Sequence, residues 1–182
     1  MTHRNLSHLF ILIFFFIVST QIFALPEDDQ ALIYIKSDSF HMENLQGLAT
    51  YTGHVVVDQG TRHLTANILI IHRNQDGQLD KMTALGTAKI PATFKALPKP
   101  DNQWVSGHGL KIYFYPLTHD LEINQEAYLT QSGNSFTGEQ IFYNTWTEII
   151  NSPDSQTGQS LMVLQPMHPT NPTNPTHTEN RS

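Results

Sequence analysis

The sequence predicts an all-β domain, and three observations carry that expectation. Apolar residues recur at a period of two in successive short runs, turn-forming clusters separate the runs, and one hairpin-sized phrase returns in looser form along the chain. No long stretch shows the 3.6-residue apolar period of an amphipathic helix.

The first two dozen residues stand apart from the fold. His3 and Arg4 precede the apolar stretch Leu9 to Val18, which is followed by Ser19-Thr20-Gln21 and then Ile22-Phe23-Ala24. An apolar centre of about ten residues matches a secretory signal and falls short of the roughly twenty that span a bilayer. Residues 1–24 are therefore expected to be a signal peptide cut after Ala24. The competing expectation is a retained membrane anchor, to which Phe23 and Leu25 would add apolar length.

Strand signals then follow one another. Ala31 to Lys36, Phe40 to Met42, Leu48 to Val57, Leu64 to His72, Lys81 to Phe94, Trp104 to Tyr115, Asp120 to Thr130 and Phe136 to Ile150 are β-patterned, and several of these runs are long enough to break in two. Turns are marked at Asn44 to Gly47, Asp58-Gln59-Gly60, Asn74 to Gly77, Pro98 to Asn102 and Ser132-Gly133-Asn134. Tyr51, Gly53, Val55 and Val57 are expected on one face of their strand, and Leu64, Ala66, Ile68 and Ile70 on one face of the next. The second run has the form apolar-x-small-x-x-apolar-x-apolar, and it nearly recurs at Val105 to Ile112 and Phe136 to Tyr143. Its small residues, Ala66, Gly107 and Gly138, are spaced 41 and 31 apart, so the repeat is degenerate, with insertions in its loops. Gly53, Gly86 and Gly107 to Gly109 lie inside strand patterns, where glycine marks a bulge, a bend or a close backbone approach.

From Ser152 the composition shifts toward Pro, Thr, Asn, Ser and His. Leu161-Met162-Val163-Leu164 is expected to add a last edge strand before Pro166, and residues 167–182 have too little apolar surface to offset the entropy of ordering them. One domain is thus expected over residues 25–166, preceded by the leader and followed by a disordered tail.

Composition excludes several roles. The leader holds one of the ten basic residues and none of the sixteen acidic ones, so the remainder carries nine basic against sixteen acidic residues, a net charge of −7. A nucleic-acid partner is not expected of such a chain. There is no cysteine, so an exported fold must hold by packing and strand pairing alone, which favours the bacterial periplasm over a disulfide-built secreted module.

Little points to chemistry. His41, His54, His63, His72 and His108 are scattered singly rather than spaced as a zinc ligand set, and His3, His8, His168 and His177 fall in the leader and tail. A Gly-x-Ser-x-Gly elbow, a cysteine nucleophile and a phosphate-cradling glycine loop are all missing from the sequence. Glu122 with Glu126, or Asp76 with Asp80, could be paired as acid and base, but a solvated strand face explains them as well, and nothing supplies an apolar pocket to raise one pKa. No catalytic residue, metal or cofactor is expected.

Apolar surface remains. Val55 to Val57, Ile68 to Ile71 and Ile112 to Tyr115 are apolar on both faces. A core closed on itself would account for any single one of these strands. A degenerate stack of hairpins, however, leaves its interior open at the ends and along one seam unless something caps it, and an open apolar interior invites lipid.

The chain resembles the LptA family of periplasmic lipopolysaccharide-transport proteins, with their OstA-like β-jelly-roll domain. The resemblance rests on Ser37-Asp38 after Ile33-Tyr34-Ile35, on Tyr51-Thr52-Gly53-His54-Val55-Val56-Val57-Asp58-Gln59-Gly60, on Leu64-Thr65-Ala66-Asn67-Ile68, on Gly86 with Pro91-Ala92-Thr93-Phe94, on Gly107-His108 and on Ala127-Tyr128-Leu129. It covers roughly residues 31 to 150. Thr87-Ala88-Lys89-Ile90 before Pro91, and Pro116, depart from the family pattern.

The resemblance implies a V-shaped, twisted jelly-roll of about sixteen antiparallel strands, open at both ends, with an apolar groove. It implies a non-enzymatic bridge that receives lipopolysaccharide from an LptC-like inner-membrane subunit and passes it to an LptD-like outer-membrane protein through end-to-end homo-oligomers joined by strand addition, the energy entering at the inner-membrane ATPase. Ile33, Ile35, Phe94, Ile112 and Phe114 are implied as lipopolysaccharide-binding positions, with the strand near Ile33 toward the incoming partner and Leu161 to Leu164 toward the outgoing one. The alternative within the same system is an LptC-like docking subunit that keeps its leader as an anchor.

N-terminal sequencing of the exported protein separates the two. The expected reading begins Leu25-Pro26-Glu27, and a retained leader would mark the anchored subunit.

Overall fold

In the computed structural model, which describes residues 28–98, 103–154 and 158–166, twelve strands join in one antiparallel sheet that doubles over into two layers. The expected signal peptide and the expected tail at 167–182 lie outside the described residues. In chain order the strands are β1 (Tyr34–Lys36), β2 (Ser39–Glu43), β3 (Leu48–Gln59), β4 (Arg62–Arg73), β5 (Leu79–Leu85), β6 (Ala92–Ala96), β7 (Val105–Gly109), β8 (Lys111–Tyr115), β9 (Asp120–Gln131), β10 (Asn134–Asn144), β11 (Ile150–Asn151) and β12 (Leu161–Val163).

Pairing registers define the layers. The second half of β3 pairs with β1 and with the first half of β4, which continues to β6, β7, the second half of β9, the first half of β10 and β12. This is arm one. The first half of β3 pairs with β2 and with the second half of β4, then β5, β8, the first half of β9, the second half of β10 and β11. This is arm two. With β3, β4, β9 and β10 counted in both, each arm has eight strand segments, which is the sixteen-segment jelly-roll the resemblance implies.

The arms meet along a ridge of corners. At one, Gly53 and His54 have φ of 80° and 44°, the β3–β4 register slips by one residue between Thr52 and Val55, and Asp38 N–H donates to the Gly53 carbonyl at 2.9 Å. A Cβ on Gly53 would collide with the Asp38 carboxylate, so the Ser37-Asp38 and Tyr51-to-Gly60 phrases are physically coupled. Farther along, Gly86 N–H donates to Leu110 and Leu110 N–H donates to Gln125, each at 2.9 Å, which carries the backbone bonding from corner to corner. The four residues Thr87 to Ile90 are absorbed in a turn closed by Thr87 N–H to the Ile90 carbonyl at 2.8 Å. Pro116 follows directly on the end of β8 at Tyr115, where a ladder donor would otherwise be needed.

Inward-facing residues of both arms form the core. Val55, Val57, Leu64, Ala66, Phe94, Val105 and Leu129 come from arm one, and Leu69, Ile71, Ile112, Phe114, Leu121, Ile123, Ile141 and Tyr143 from arm two. One phase differs from the expectation. In β4 the buried set runs Leu64 and Ala66, then Leu69 and Ile71, so Ile68 and Ile70 do not share the face of Leu64. The strand changes arm at Asn67 and must shift phase there to keep an apolar row inward. The uninterrupted Ile68 to Ile71 run makes either phase possible. Lys81 to Phe94 and Trp104 to Tyr115 each divide at the ridge, into β5 and β6 and into β7 and β8.

Gly107 lets β7 reach the β9 corner: a Cβ there would lie 2.7 Å from Ile123 Cδ1 and from the Tyr128 carbonyl oxygen. Gly107→Ala is expected to cost about 1–3 kcal/mol by overpacking, read as a lower urea midpoint, whereas Gly158→Ala, whose Cβ meets open space, leaves the midpoint unchanged.

Candidate functional site

Among the described residues the core lies in the space between the arms, and its middle is aromatic. Phe94, opposite Leu64 and Gly107 in arm one, faces Phe114, opposite Met82 and Leu121 in arm two, with ring centroids 6.3 Å apart. The Arg62 guanidinium lies 5.2 Å above the Phe114 ring, where its charge meets the negative face of the aromatic system. Between Val57, Arg62, Leu64, Met82 and the two phenylalanines remains a cavity of about 20 Å³, room for about one water-sized sphere.

The interior widens toward the far end. Phe136, Thr137, Leu161 and Met162 of arm one and Ile141 and Ile150 of arm two line a partly open cavity of about 220 Å³. Drug-sized ligands occupy pockets of about 300–1,000 Å³, so a fatty tail fits only if the arms part further.

Both ends of the doubled sheet are edges. Among the described residues β1 and β2 pair only with β3, and β11 and β12 only with β10. Leu32, Tyr34, Phe40 and Met42 are exposed at the first edge and Leu161, Met162, Val163 and Leu164 at the other. Unpaired edges with exposed apolar side chains are templates for pairing with another strand.

The five positions implied by the resemblance are distributed along this interior. Ile33, 38% exposed, lies just before β1 at the open edge. Ile35 pairs opposite Val57 and packs against the core. Phe94, Phe114 and Ile112 are buried, at 3%, 4% and 0% exposure. Sequence reasoning passed over Arg62, which a hairpin start gives no reason to select. It also passed over Phe136, Ile141 and Ile150, although Phe136 begins one of the recurring phrases.

Two histidine–aspartate contacts outside the interior are ordinary surface pairs: His54 with Asp38 at 2.8 Å and His63 with Asp58 at 2.6 Å, all exposed. Among the described residues no three His, Cys, Asp or Glu side chains converge as metal ligands. Glu122 accepts hydrogen bonds from Asn124 and Gln140 at 3.0 and 2.6 Å on the outer face of β9. Among the described residues Tyr143 is the strongly perturbed group. It is buried, its hydroxyl has no hydrogen-bond partner among the described residues, and burial first and the Glu148 charge second push its pKa well up.

Known proteins resemble this chain in sequence and, in one solved case, in fold. The family described as LptA/(LptD N-terminal domain) LPS transport protein matches residues 34–149, from β1 to the turn before β11. The chain belongs to this family. Lipopolysaccharide export system protein LptH of Pseudomonas aeruginosa is 32% identical over 155 residues, spanning 81% of this chain and 87% of that protein. LptA of Escherichia coli K12 is 29% identical over 121 residues, spanning 66% of this chain and 64% of that protein. The crystal structure of LptH, described as the LptA-homologous periplasmic component of the lipopolysaccharide transport device of P. aeruginosa, superposes with a TM-score of 0.70 at 30% identity, covering 78% of this chain and all of that one.

Tyr143→Phe tests the interior. The unfolded chain, with an ordinary tyrosine pKa of about 10, releases its proton before the folded protein does, so this group's contribution to stability is intact below about pH 10 and is lost as pH rises beyond it. In urea unfolding the variant is expected to be at least as stable as wild type near about pH 8, since it deletes an unpaired buried hydroxyl. It is also expected to lose less stability than wild type between about pH 8 and about pH 11.

Proposed function

We propose that this chain is a periplasmic lipopolysaccharide-binding bridge protein that carries lipopolysaccharide from the inner membrane to the outer membrane. The observation that carries the reading is the apolar space between two arms whose sheet, among the described residues, ends in unpaired edges on both sides. Each methylene moved from water into such a space gains about 0.8 kcal/mol. A protein of net negative charge can therefore hold an anionic glycolipid by its tails while the phosphates stay in water. No bond is made or broken in this role, and no cofactor is used.

Ile33 and Ile35 at the β1 edge, then Phe94, Phe114 and Ile112 farther in, are the positions assigned to contact the acyl chains. Because Phe94 and Phe114 nearly fill the middle, a chain reaches Ile112 by separating the two rings. The unpaired edges supply the joint: another β strand can extend the ladder at β1 and β2 or at β11 and β12 by β-augmentation. An LptC-like inner-membrane subunit is assigned to the first edge, an LptD-like outer-membrane protein to the second, and further copies of this chain between them.

A photo-crosslinking amino acid placed singly at Ile33, Ile35, Phe94, Ile112 and Phe114 tests the reading in cells that make lipopolysaccharide. Ultraviolet-dependent adducts with lipopolysaccharide are expected, most strongly at Ile35 and Phe114. Absence of adducts at all five positions would overturn it.

A further inference from the structure

Between the turns at the open side of the arms lies a contact that the transport reading does not use. Residues Asp28–Gln30 form a single 3-10 turn ahead of β1. The Asp28 carboxylate accepts from Thr61 N–H and from Thr61 Oγ1, each at 2.7 Å, and lies 3.6 Å from Arg62 Nε. Asp29 accepts from Arg62 Nη1 at 2.6 Å, and its other oxygen is 3.5 Å from His119 Nδ1. Thr61 belongs to the β3–β4 turn of arm one and Arg62 opens β4. His119 belongs to the β8–β9 turn of arm two, where its carbonyl also accepts from Thr145 N–H at 2.8 Å. One short acidic turn thus ties the free rims of both arms together.

The tie sits directly over the interior. Arg62, 12% exposed, is held by both carboxylates while its guanidinium lies over Phe114, and the cavity beneath measures about 20 Å³. Charge-assisted bonds to partly buried partners are stronger than neutral ones, and a chain cannot reach Phe94 and Phe114 from this side while the rims are joined.

We infer that the Asp28–Asp29 turn is a strap that holds the arms shut over Phe114, and that acyl chains load at this end only when its carboxylates release Thr61, Arg62 and His119. The inference rests on the trough reading given above. The ligand stabilises the open form only by binding it in preference to the closed one, so a weaker strap means faster loading.

Uptake of purified lipopolysaccharide by the mature protein, followed as a rate, tests this. Asp28→Asn with Asp29→Asn is expected to load about tenfold faster than wild type, the factor equivalent to about 1.4 kcal/mol. Asp58→Asn, which removes an exposed carboxylate paired with His63 on the same arm, is expected to load at the wild-type rate. A double variant no faster than wild type overturns the strap. Hydrogen exchange at the Thr61 amide of unaltered protein gives a second readout that needs no variant: it should quicken about tenfold on loading if the Asp28 bond is released, by the same equivalence. Full protection of that amide in loaded protein also overturns the strap. Wild type that takes up no lipopolysaccharide overturns the trough reading, and the strap with it, whereas wild type that loads with Thr61 still protected sinks the strap alone.

Discussion

Four strands of this protein change layer in mid-course, and each must bring its apolar side chains inward again on the other side. The rest of the structure depends on how that is done. β3 inserts a bulge at Gly53-His54, and β9 carries Gln125 and Glu126 through φ of 60° and 58°. Each left-handed non-glycine residue costs roughly 1–2 kcal/mol. The cost is met locally, because Asp38 bonds to Gly53 and Leu110 bonds to Gln125 at the same corners. β4 and β10 instead shift phase: buried residues fall at Leu64 and Ala66 but Leu69 and Ile71 in β4, and at Ile141 and Tyr143 after Phe136 in β10.

Because the corners align, the inner faces of the two arms oppose each other along the whole sheet. Full burial of a large aliphatic side chain stabilises by about 1.5–3 kcal/mol, and Leu69, Ile112, Leu121, Ile123, Leu129 and Ile141 are all fully buried between the arms. That packing explains how a chain with no cysteine holds its shape. It also sets a conflict. The same closely packed rows that stabilise the fold leave only a narrow gap at Phe94 and Phe114, while the rows at Phe136, Ile141 and Ile150 splay apart. Among the described residues β1, β2, β11 and β12 keep free edges, and an unpaired strand edge is a ready template for another strand.

Period-two patterning made most of this fold legible before any coordinates. Turn residues located the β2–β3, β3–β4, β4–β5, β6–β7 and β9–β10 hairpins but not the β8–β9 turn or the β10–β11 turn, which falls inside the run Phe136 to Ile150, and glycine inside strand patterns marked the ridge at Gly53, Gly86 and Gly107 to Gly109. The phase of Ile68 and Ile70 was not legible, because four consecutive apolar residues fit either face and the choice is made by the crossing at Asn67. Lys81 to Phe94 and Trp104 to Tyr115 were among the runs long enough to break in two, and they divide beside Gly86 and Gly109, the glycines that marked a bend. Ile35, Phe94 and Phe114 were singled out by the resemblance to the family and not by any pattern in the residues themselves. Arg62 was invisible, because its position depends on Asp28 and Asp29, 34 and 33 residues away in sequence, and on a ring in the opposite arm.

The central claim is that the space between the arms takes up fatty tails. Native mass spectrometry of the mature protein, purified without detergent from cells that make lipopolysaccharide, tests it most directly. The account predicts a population heavier than the bare chain by the mass of a lipopolysaccharide molecule, released on denaturation. A single species at the mass of the bare polypeptide, unchanged after incubation with excess lipopolysaccharide, would contradict it.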